Sequence, residues 1–271
     1  MHHARAPQER RLALITGASS GIGLELARCA AADGYDTALV ARREPELAAI
    51  SAELSDSCGG RHHVIPMDLG LPGASEALAQ KLGQLSLAPH VLVNNAGFGL
   101  YGAFLDTPVS RHLELIQLNI AALTELTSLL VPHMVQEGWG RVLNVASTAA
   151  FQPGPLMASY YASKAYVLSL SEALHEELRG SGVTVTALCP GPVNTGFQGA
   201  AGLEASRMAP LFTRTGPGGV AQQGWDGCMK GRAVVIPGIL NKVQVSSVRL
   251  LPRGAVRRLV RAVQERTKRG R

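Results

Sequence analysis

Hydrophobic positions along the chain follow two different periods. Short runs rich in β-branched residues recur at 12–16, 36–40, 61–66, 90–97, 141–147, 183–189 and 233–237. Between these runs, apolar residues return at the three- and four-residue spacing of amphipathic helices. Seven strands that alternate with about six helices imply right-handed crossovers between parallel strands. We therefore predict an α/β fold in which a doubly wound, seven-stranded parallel sheet carries helices on both faces.

The predicted elements form a single domain. No linker, internal repeat or low-complexity tract interrupts residues 1–240, and residues 241–271 form a basic extension. The longest irregular stretch, rich in Gly and Pro, runs from 190 to 219. Because loops of that length inside a compact domain are usually functional, we expect it to cover a site.

Composition narrows the class of protein. The 271 residues are 46% hydrophobic but only 4% aromatic, and 30 are glycine, a balance suited to helices packed closely on a sheet. The cysteines are isolated from one another and the histidines have no ligand spacing, so we expect neither a disulfide framework nor a metal site. No uninterrupted apolar run reaches the roughly 18 residues of a spanning helix. These features predict a cytoplasmic protein.

The formal net charge of +6 is unevenly distributed. From Lys230 onward the chain holds 12 Lys and Arg against one acid, Glu265, which leaves 14 basic and 19 acidic residues before that point. The body of the protein is therefore acidic and the end of the chain is basic.

A glycine-rich turn follows the first strand. In TGASSGIG, Gly17, Gly21 and Gly23 precede a predicted helix. A pyrophosphate that approaches main-chain N–H groups at a helix start leaves no room for a Cβ atom, which favours glycine there. The spacing is a weak indication by itself, since a turn without a ligand can have the same composition. Its place on the first strand of a doubly wound sheet favours a nucleotide site.

The end of the second strand predicts which nucleotide binds. An acid there would bind an adenosine ribose hydroxyl, but the sequence has Ala41 followed by Arg42 and Arg43. With no carboxylate to repel it, a 2′-phosphate gains a charge-assisted hydrogen bond from arginine. The pattern favours NADP(H), unless both arginines are only a solvated helix start.

The stretch YYASK predicts a proton donor. Tyr160 and Lys164 are four residues apart and share a helix face, whereas Tyr161 is a less regular match. An ammonium stabilises a nearby phenolate, so we expect Lys164 to lower the pKa of Tyr160. Such a tyrosine can protonate a carbonyl oxygen while hydride reaches the carbon. A packed tyrosine beside a surface lysine would have the same spacing.

Other polar residues fall at the predicted carboxyl edge of the sheet. Ser147 ends the fifth strand, NNAG at 94–97 follows the fourth, and Thr195 follows the sixth. Asn119 is an amide inside an apolar helix, and a buried amide needs a partner. Gly97 permits the close approach of a ligand.

Together these motifs resemble those of the short-chain dehydrogenase/reductase family, in its NADP(H)-preferring type. The matching pieces lie in the family's order from about residue 11 to residue 200: TGASSGIG at 16–23, NNAG at 94–97, Asn119, Ser147, YYASK at 160–164 and PGPVNT at 190–195. The resemblance implies a Rossmann-like fold and an enzyme that interconverts a carbonyl and an alcohol with NADP(H).

The resemblance also implies roles for individual residues. Tyr160 would be the general acid or base, and Lys164 would hold the nicotinamide ribose and lower the Tyr160 pKa. Ser147 would bind the substrate oxygen, and Asn119 would steady a water in a proton relay. Tyr161 would be structural. The implied cofactor contacts, besides Tyr160 and Lys164, are Gly17, Ser19, Ser20, Ile22, Gly23, Arg42, Asp68, Leu69, Asn94, Ala96, Gly97, Pro190, Gly191, Val193 and Thr195.

The substrate walls are predicted to be mostly apolar. They would come from 98–101, from 149–157, and from the loop that bears Phe197, Leu203, Met208, Leu211 and Phe212, with Gln152, Arg207 and Arg214 as polar exceptions. A hydrophobic ketone or its secondary alcohol fits such walls. The alternative from another class is a binding protein on the same fold that senses NADP(H) without catalysis.

The end of the chain departs from the family's common pattern. Val256, Leu259, Val260 and Val263 fall at helical spacing with arginines between them, which predicts a basic amphipathic helix. It could dock on the same or a neighbouring subunit, contact an anionic membrane surface, bind nucleic acid, or attract the substrate by its positive field. No aromatic residue interleaves its charges, so we expect no nucleic acid. We expect docking, and a homo-oligomer that is a dimer or tetramer.

Overall fold

The computed structural model describes residues 10–194, 216–248 and 250–265. Its strands are β1 (Leu12–Thr16), β2 (Asp36–Ala41), β3 (His62–Pro66), β4 (Pro89–Asn94), β5 (Gly140–Val145), β6 (Val183–Leu188) and β7 (Val234–Val235). They pair in the order β3-β2-β1-β4-β5-β6-β7, and each neighbouring pair is parallel. The predicted seven-stranded parallel sheet is confirmed.

Helices lie on both faces of this sheet. The α-helices in the described residues are α1 (Gly21–Ala32), α2 (Glu44–Cys58), α3 (Ala74–Gln84), α4 (Val109–Ile116), α5 (Ala122–Gln136), α6 (Ala158–Glu177), α7 (Pro217–Met229), α8 (Ile239–Val248) and α9 (Arg253–Gln264). Short 3₁₀ turns lie at Phe104–Asp106 and Thr148–Phe151.

Alternate residues of each strand contribute to two apolar cores, one on each face of the sheet. On one face, Ala13 and Ile15 of β1 pack with α1, α2 and α7, and Trp225 of α7 is almost fully buried. On the other face, Leu12 and Leu14 pack with α3 and α5. Each fully buried aliphatic side chain of this kind contributes roughly 1.5–3 kcal/mol to stability. The two-residue period of the strands thus determines which strand residues pack against the helices on each face.

The order of the strands reverses between β1 and β4, which opens a crevice at the carboxyl edge of the sheet. Thr16 joins the two strands there. Its hydroxyl donates to the main-chain oxygen of Val93 at 3.2 Å and accepts from the N–H groups of Asn95 at 2.9 Å and Ala96 at 3.0 Å. Because these two N–H groups bond to a side chain rather than to a strand, β4 ends at Asn94 and not at the predicted residue 97.

A continuous helical run extends from Val109 to Gln136, with α4 and α5 joined by a π-helical turn. An 18-residue window of this run has a mean hydropathy of 1.4, so by length and composition the run could span a membrane, as many core helices of soluble proteins also could. Leu115, Leu126 and Met134 are buried in the cores, whereas Val109 and Leu113 are exposed. In the apolar window 39% is buried, so the run is partly core and partly surface.

The C-terminal segment returns to the carboxyl edge of the sheet. Val256 and Val260 of α9 are buried in a cluster with Met157, Tyr160 and Tyr161. The predicted basic amphipathic helix forms, and it docks on its own chain. Its arginines are exposed: Arg253, Arg257, Arg258 and Arg261.

Candidate active site

The glycine loop between β1 and α1 has a main chain that only glycine adopts readily. Gly17 and Gly21 have φ values of 66° and 60°, in the left-handed region. A Cβ atom on Gly23 would lie 2.3 Å from the main-chain oxygen of Gly17. The N-cap residue of α1, Ser20, makes no side-chain capping hydrogen bond within the described residues. The loop therefore offers the N–H groups at the start of α1 to an anion, as a pyrophosphate requires.

Asn95 holds the glycine loop in place. Its Nδ2 atom donates to the main-chain oxygens of Thr16 at 2.9 Å and Gly17 at 3.2 Å. A Cβ atom on Gly17 would come within 2.7 Å of the same nitrogen. Asn95 also lines the crevice, although it was not among the predicted cofactor contacts. The available indication was its place directly after a buried strand, within NNAG.

Asn94, to which the resemblance gave a cofactor contact, is turned away from the crevice. Its Nδ2 atom donates to Oδ1 of Asn144 at 2.9 Å and to Oγ1 of Thr127 at 3.1 Å, and Asn144 donates to Ser171 at 2.9 Å. Asn94 is buried and does not line the crevice. Neighbouring strand residues point to opposite faces, so Asn94 and Asn95 diverge. The side chain of Asn94 ties β4 and β5 to α5 and α6 instead.

Two arginines at the end of β2 line the crevice. The Arg42 side chain is 75% exposed, and its Nη1 atom lies 3.9 Å from Oδ2 of Asp68. Arg43 donates to the Ser19 hydroxyl of the glycine loop at 3.0 Å. Leu69, next to Asp68, is buried. Arg42 is thus the more exposed of the two cations, while Arg43 supports the loop that would hold phosphate.

Tyr160, Lys164 and Ser147 meet at the inner end of the crevice. Tyr160 and Lys164 are buried on α6, and the Lys164 Nζ atom lies 5.9 Å from the centre of the Tyr160 ring. The same Nζ atom donates to the main-chain oxygen of Val145 at 2.7 Å. The Ser147 hydroxyl hydrogen-bonds with Tyr160 and accepts from the N–H group of Ala149 at 3.1 Å. The three side chains that the sequence predicted to act together share one site.

Burial dominates the acidity of this pair. It raises the pKa of Tyr160 above its ordinary value, and the hydrogen bond with Ser147 offsets this only in part. Burial also lowers the pKa of Lys164 to about 8, with an opposing contribution from the Cys189 thiol. The prediction that Lys164 lowers the Tyr160 pKa is therefore wrong for the protein side chains alone. Desolvation of the phenolate dominates the shift, and Lys164 is not among its causes.

Asn119 lies in the π-helical turn Gln117–Ala121, an irregularity often found at functional sites. Its Oδ1 atom accepts from the N–H group of Phe98 at 3.1 Å, and its Nδ2 atom donates to the Phe98 oxygen at 3.0 Å and to Ser163 at 3.2 Å. A Cβ atom on Gly97 would lie 2.9 Å from the same Oδ1 atom. Asn119 thus fixes the main chain beside the crevice, and its role with a water stays a prediction.

The crevice continues into a cavity of about 1510 Å³. This exceeds the roughly 300–1,000 Å³ of a pocket for one small ligand, so a dinucleotide and a substrate can both fit. The predicted residues that line it are Gly17, Ser19, Ser20, Ile22, Arg42, Asp68, Leu69, Ala96, Gly97, Ser147, Tyr160, Lys164, Pro190, Gly191 and Val193. Gly23 and Asn119 do not line the cavity, but they contact the lining residues Gly17 and Phe98. Thr195 and the predicted wall residues between 197 and 214 lie outside the described residues.

The walls beyond Tyr160 are mostly apolar. Phe98, Ala149 and Met157 line the cavity where the sequence placed the substrate, and Gln152 is among the polar exceptions. Sequence reasoning missed Arg111, whose guanidinium lies 5.2 Å from the Phe98 ring centre. It also missed the wall built by α8 and α9, whose lining residues are Ile239, Leu240, Asn241, Gln244, Ser247, Val248, Val256, Leu259, Val260, Val263 and Gln264.

These features define a class of protein. A glycine loop shaped for phosphate lies at the switch point of a parallel sheet, and a buried Tyr–Lys–Ser group lies at the inner end of the same crevice. This combination defines a nucleotide-dependent oxidoreductase site.

Comparison with known proteins identifies the family. The family model described as short chain dehydrogenase matches residues 11–205. Ketoacyl reductase HetN of Nostoc sp. is 33% identical over 201 residues, 74% of this chain and 70% of that protein. The very-long-chain 3-oxoacyl-CoA reductase of Laccaria bicolor is 36% identical over 180 residues, which cover 65% of this chain but only 53% of that protein. The chain belongs to the short-chain dehydrogenase family, whose members are oxidoreductases that use a nicotinamide cofactor.

Solved structures extend the similarity over nearly the whole chain. A short-chain dehydrogenase from Sphingobium yanoikuyae in complex with NADPH is 32% identical, with a TM-score of 0.80 over 96% of this chain and 98% of that one. A short-chain dehydrogenase/reductase from Burkholderia phymatum in complex with NAD is 26% identical, with a TM-score of 0.79 over 89% and 92% of the two chains. Both nicotinamide cofactors thus occur among its structural relatives.

Proposed function

We propose that this protein reduces a ketone or oxo group to a secondary alcohol, or catalyses the reverse reaction, with NADP(H). The observation that carries the proposal is the buried group of Tyr160, Lys164 and Ser147 at the inner end of the glycine-lined crevice. The nicotinamide, when bound, supplies or accepts the hydride. The protein side chains donate or accept the proton.

Tyr160 is the proton donor in the reducing direction. Burial raises its pKa, so its hydroxyl stays protonated at neutral pH, as a general acid must. The Ser147 hydroxyl has a single proton, which it shares with Tyr160 and the main-chain oxygen of Pro190 in this structure and would donate to the substrate oxygen instead when the substrate binds. Lys164 holds the nicotinamide ribose, and in its protonated form it stabilises the phenolate that remains after proton transfer.

NADP(H) is proposed over NAD(H) on the ground of charge. The position at the end of β2 where an acid would bind the ribose hydroxyl is Ala41, and the exposed Arg42 follows it. Arg42 is 3.9 Å from Asp68 in an exposed pair, and such pairs are worth about 0–1 kcal/mol. A 2′-phosphate can therefore compete for the Arg42 guanidinium through a bidentate, charge-assisted contact.

The substrate is proposed to be a hydrophobic carbonyl compound, such as a lipid-derived oxoacyl compound, a steroid or a polyketide-like ketone. The apolar cavity walls support this proposal, and so do the relatives named as a ketoacyl reductase and a very-long-chain 3-oxoacyl-CoA reductase. We give oxoacyl thioesters the first place in a substrate panel.

A homo-oligomer, a cytoplasmic location and a membrane contact are proposed from exposed side chains and from the free cysteines. Leu105, Val109 and Leu113 are exposed by 94%, 72% and 59%, and this apolar surface supports a homo-oligomer. Light scattering should find a dimer or tetramer, and a monomer would contradict this proposal. The four cysteines are free thiols, which agrees with a reducing compartment such as the cytoplasm. Contact with an anionic membrane through the outer face of α9 is a further proposal.

The reductase proposal is tested by following NADPH consumption at 340 nm against oxoacyl thioesters, steroids and bulky ketones. At least one should be reduced, and Tyr160→Phe should lower the rate by about 10²–10⁴-fold, because a general acid contributes that much. Fluorescence titration should find NADPH affinity in this variant within about twofold of wild type. Undiminished turnover by Tyr160→Phe would contradict the assignment. No reduction across the panel despite tight NADPH binding would favour a nucleotide sensor.

A further inference from the structure

Gln264 is a fully buried amide in the last turn of α9, near the end of the chain. Its Nε2 atom donates to the hydroxyl oxygen of Tyr161 at 2.6 Å. Its main-chain oxygen accepts from the hydroxyl of Tyr101 at 2.7 Å. One residue of α9 is thus bonded to α6 and to the connection between β4 and α4.

These two contacts anchor α9 at its C-terminal end. The last carbonyls of a helix have no partner within the helix, and Tyr101 satisfies one of them. The Oε1 atom of Gln264 is buried without a hydrogen-bond partner among the described residues, so the bond from Nε2 to the Tyr161 hydroxyl satisfies only half of this amide, and losing it would leave the whole side chain unpaired. These directional hydrogen bonds fix the position of α9 relative to α6, whereas non-directional apolar contacts alone would allow α9 to shift along α6.

Tyr161 connects this anchor to the reacting end of the cavity. Its ring meets the Tyr160 ring edge to face, with 6.1 Å between centroids and 77° between planes. A Cβ atom on Gly154 would lie 2.2 Å from the Tyr161 ring, so the loop before α6 packs tightly on the same ring. Tyr161 therefore has little freedom to move while Gln264 is bonded to it.

The apolar side of α9 is a wall of the substrate end of the cavity. Val256 and Val260 are buried in one cluster with Tyr160 and Tyr161, and the more exposed Leu259 and Val263 also line the cavity. The distance from α9 to α6 therefore sets the space next to the Tyr160 hydroxyl.

We propose that Gln264 is a positioning residue that holds α9 against Tyr161 and Tyr101, so that α9 determines the size of ketone that reaches Tyr160. The inference rests on the proposed reductase function. Gln264 does not touch the reacting atoms; it acts through Tyr161 and through the placement of Val256 and Val260.

The first test removes the anchor from both sides. Gln264→Leu and Tyr161→Phe each delete the hydrogen bond, and because both act on one contact their effects should be non-additive in the double variant. For a small ketone KM should rise about five- to tenfold in each, the value of one buried hydrogen bond, while kcat changes less than twofold. The preference between small and bulky ketones should shrink. Equal changes in kcat and KM for every ketone, or additive effects, would overturn the proposal. If Gln264→Leu does not fold, Tyr161→Phe carries the test, since it removes one oxygen only.

A second measurement does not depend on turnover. Trypsin should cleave at Arg257, Arg258 and Arg261 faster in Gln264→Leu than in wild type, because a loosened α9 opens locally more often. NADPH affinity, measured in parallel, should stay within twofold. Unchanged cleavage would overturn the anchor even if the reductase proposal holds. If wild type reduces no ketone, the reductase proposal fails while the cleavage result still decides the anchor.

The third test uses a matched pair on α9. Val260→Phe places an aromatic ring on the cavity side and should raise KM for bulky ketones at least tenfold more than for small ones, since the added volume takes their space. Ala255→Phe places the same ring on the exposed face of the helix, outside the cavity lining, and should leave both KM values unchanged. Equal selectivity in the two variants would overturn the claim that α9 sets substrate size.

Discussion

The ammonium group of Lys164 donates a 2.7 Å hydrogen bond to the main-chain oxygen of Val145, in a site where both residues are buried. That single hydrogen bond does not replace the hydration of a full charge, and burial lowers the lysine pKa from 10.5 to about 8. The protein therefore keeps, at neutral pH, a charge that is unfavourable for its own stability.

Replacing this lysine should stabilise the protein and inactivate it. Below pH 8 Lys164 is charged in both the folded and unfolded states, so the cost of burying the charge is fully present. Between pH 8 and 10.5 the unfolded chain binds more protons, and stability rises with pH by about 3 kcal/mol. Lys164→Met should therefore raise the free energy of unfolding at pH 7 by about 1–3 kcal/mol, after allowance for the lost hydrogen bond.

Urea unfolding of wild type and Lys164→Met at pH 7 and pH 10.5 measures this difference. The gain should be largest at pH 7 and should disappear at the higher pH. A variant that is less stable at pH 7, or a gain independent of pH, would contradict the account of Lys164 as a desolvated cation.

The same titration should appear in nucleotide binding. Only the protonated form of Lys164 makes charge-assisted hydrogen bonds to a ribose, which are the stronger ones, so NADPH affinity should fall as pH rises through about 8. Lys164→Met should bind more weakly, with an affinity that is flat over this range. Isothermal titration calorimetry from pH 6 to pH 10 measures both profiles. A pH-dependent step that persists in Lys164→Met belongs to another group and would refute the assignment.

Two adjacent amides should respond in opposite ways to the same substitution. Asn94→Leu breaks the buried hydrogen bonds to Asn144 and Thr127 and should cost about 1–3 kcal/mol of stability, with NADPH affinity within twofold. Asn95→Leu releases the glycine loop and should weaken NADPH binding at least tenfold. Thermal unfolding and NADPH titration on both variants measure this contrast. An Asn94→Leu protein that is stable but binds NADPH poorly would restore the cofactor contact that the sequence predicted for Asn94.

The Asn94–Asn95 pair shows how much of the site could be predicted from the sequence. Strand periodicity located β4 within a few residues and placed NNAG at the carboxyl edge of the sheet. Which of two identical neighbours faces the crevice depends on the end of the strand. That end is set by the Thr16 hydroxyl, which takes the N–H groups of Asn95 and Ala96. No local pattern encodes a contact with a residue so distant in sequence.

The C-terminal helix illustrates a second limit. The spacing of Val256, Val260 and their neighbours predicted an amphipathic helix, and that prediction is confirmed. Its docking site was left open, because periodicity describes one helix and not the surface that receives it. The direction of the Tyr160 pKa shift was wrong for a related reason: the sequence gives the Tyr–Lys spacing but not the depth of burial.

Arg42 should determine the cofactor preference. Arg42→Asp replaces the exposed cation with an acid, which repels a 2′-phosphate and can accept a hydrogen bond from a ribose hydroxyl. The ratio of kcat/KM for NADPH to that for NADH should fall at least 100-fold, because kcat/KM for NADPH falls and kcat/KM for NADH rises. Arg43→Asp is the matched control, because Arg43 contacts Ser19 of the glycine loop and its loss should weaken both cofactors. An unchanged ratio in Arg42→Asp would contradict the NADP(H) proposal.

The outer face of α9 should bind anionic membranes without leaving its docked position. Arg257, Arg258 and Arg261 are already exposed while Val256 and Val260 stay buried, so no apolar contact has to break. Each cation near an anionic surface contributes about 1 kcal/mol, and three of them about 100-fold in affinity.

Sedimentation with vesicles of 30% phosphatidylserine in phosphatidylcholine tests this prediction. Wild type should bind, and binding should be lost on pure phosphatidylcholine and in 0.5 M salt, where exposed charges are screened. The triple variant Arg257→Glu, Arg258→Glu, Arg261→Glu should bind at least about 100-fold more weakly, because it removes three attractive charges and adds three repulsive ones. The triple variant Lys81→Glu, Arg179→Glu, Lys230→Glu changes the net charge equally at exposed positions away from α9 and should retain binding. Equal losses in both triple variants would mean that the overall charge binds the vesicle, and the proposed role of α9 would then be wrong.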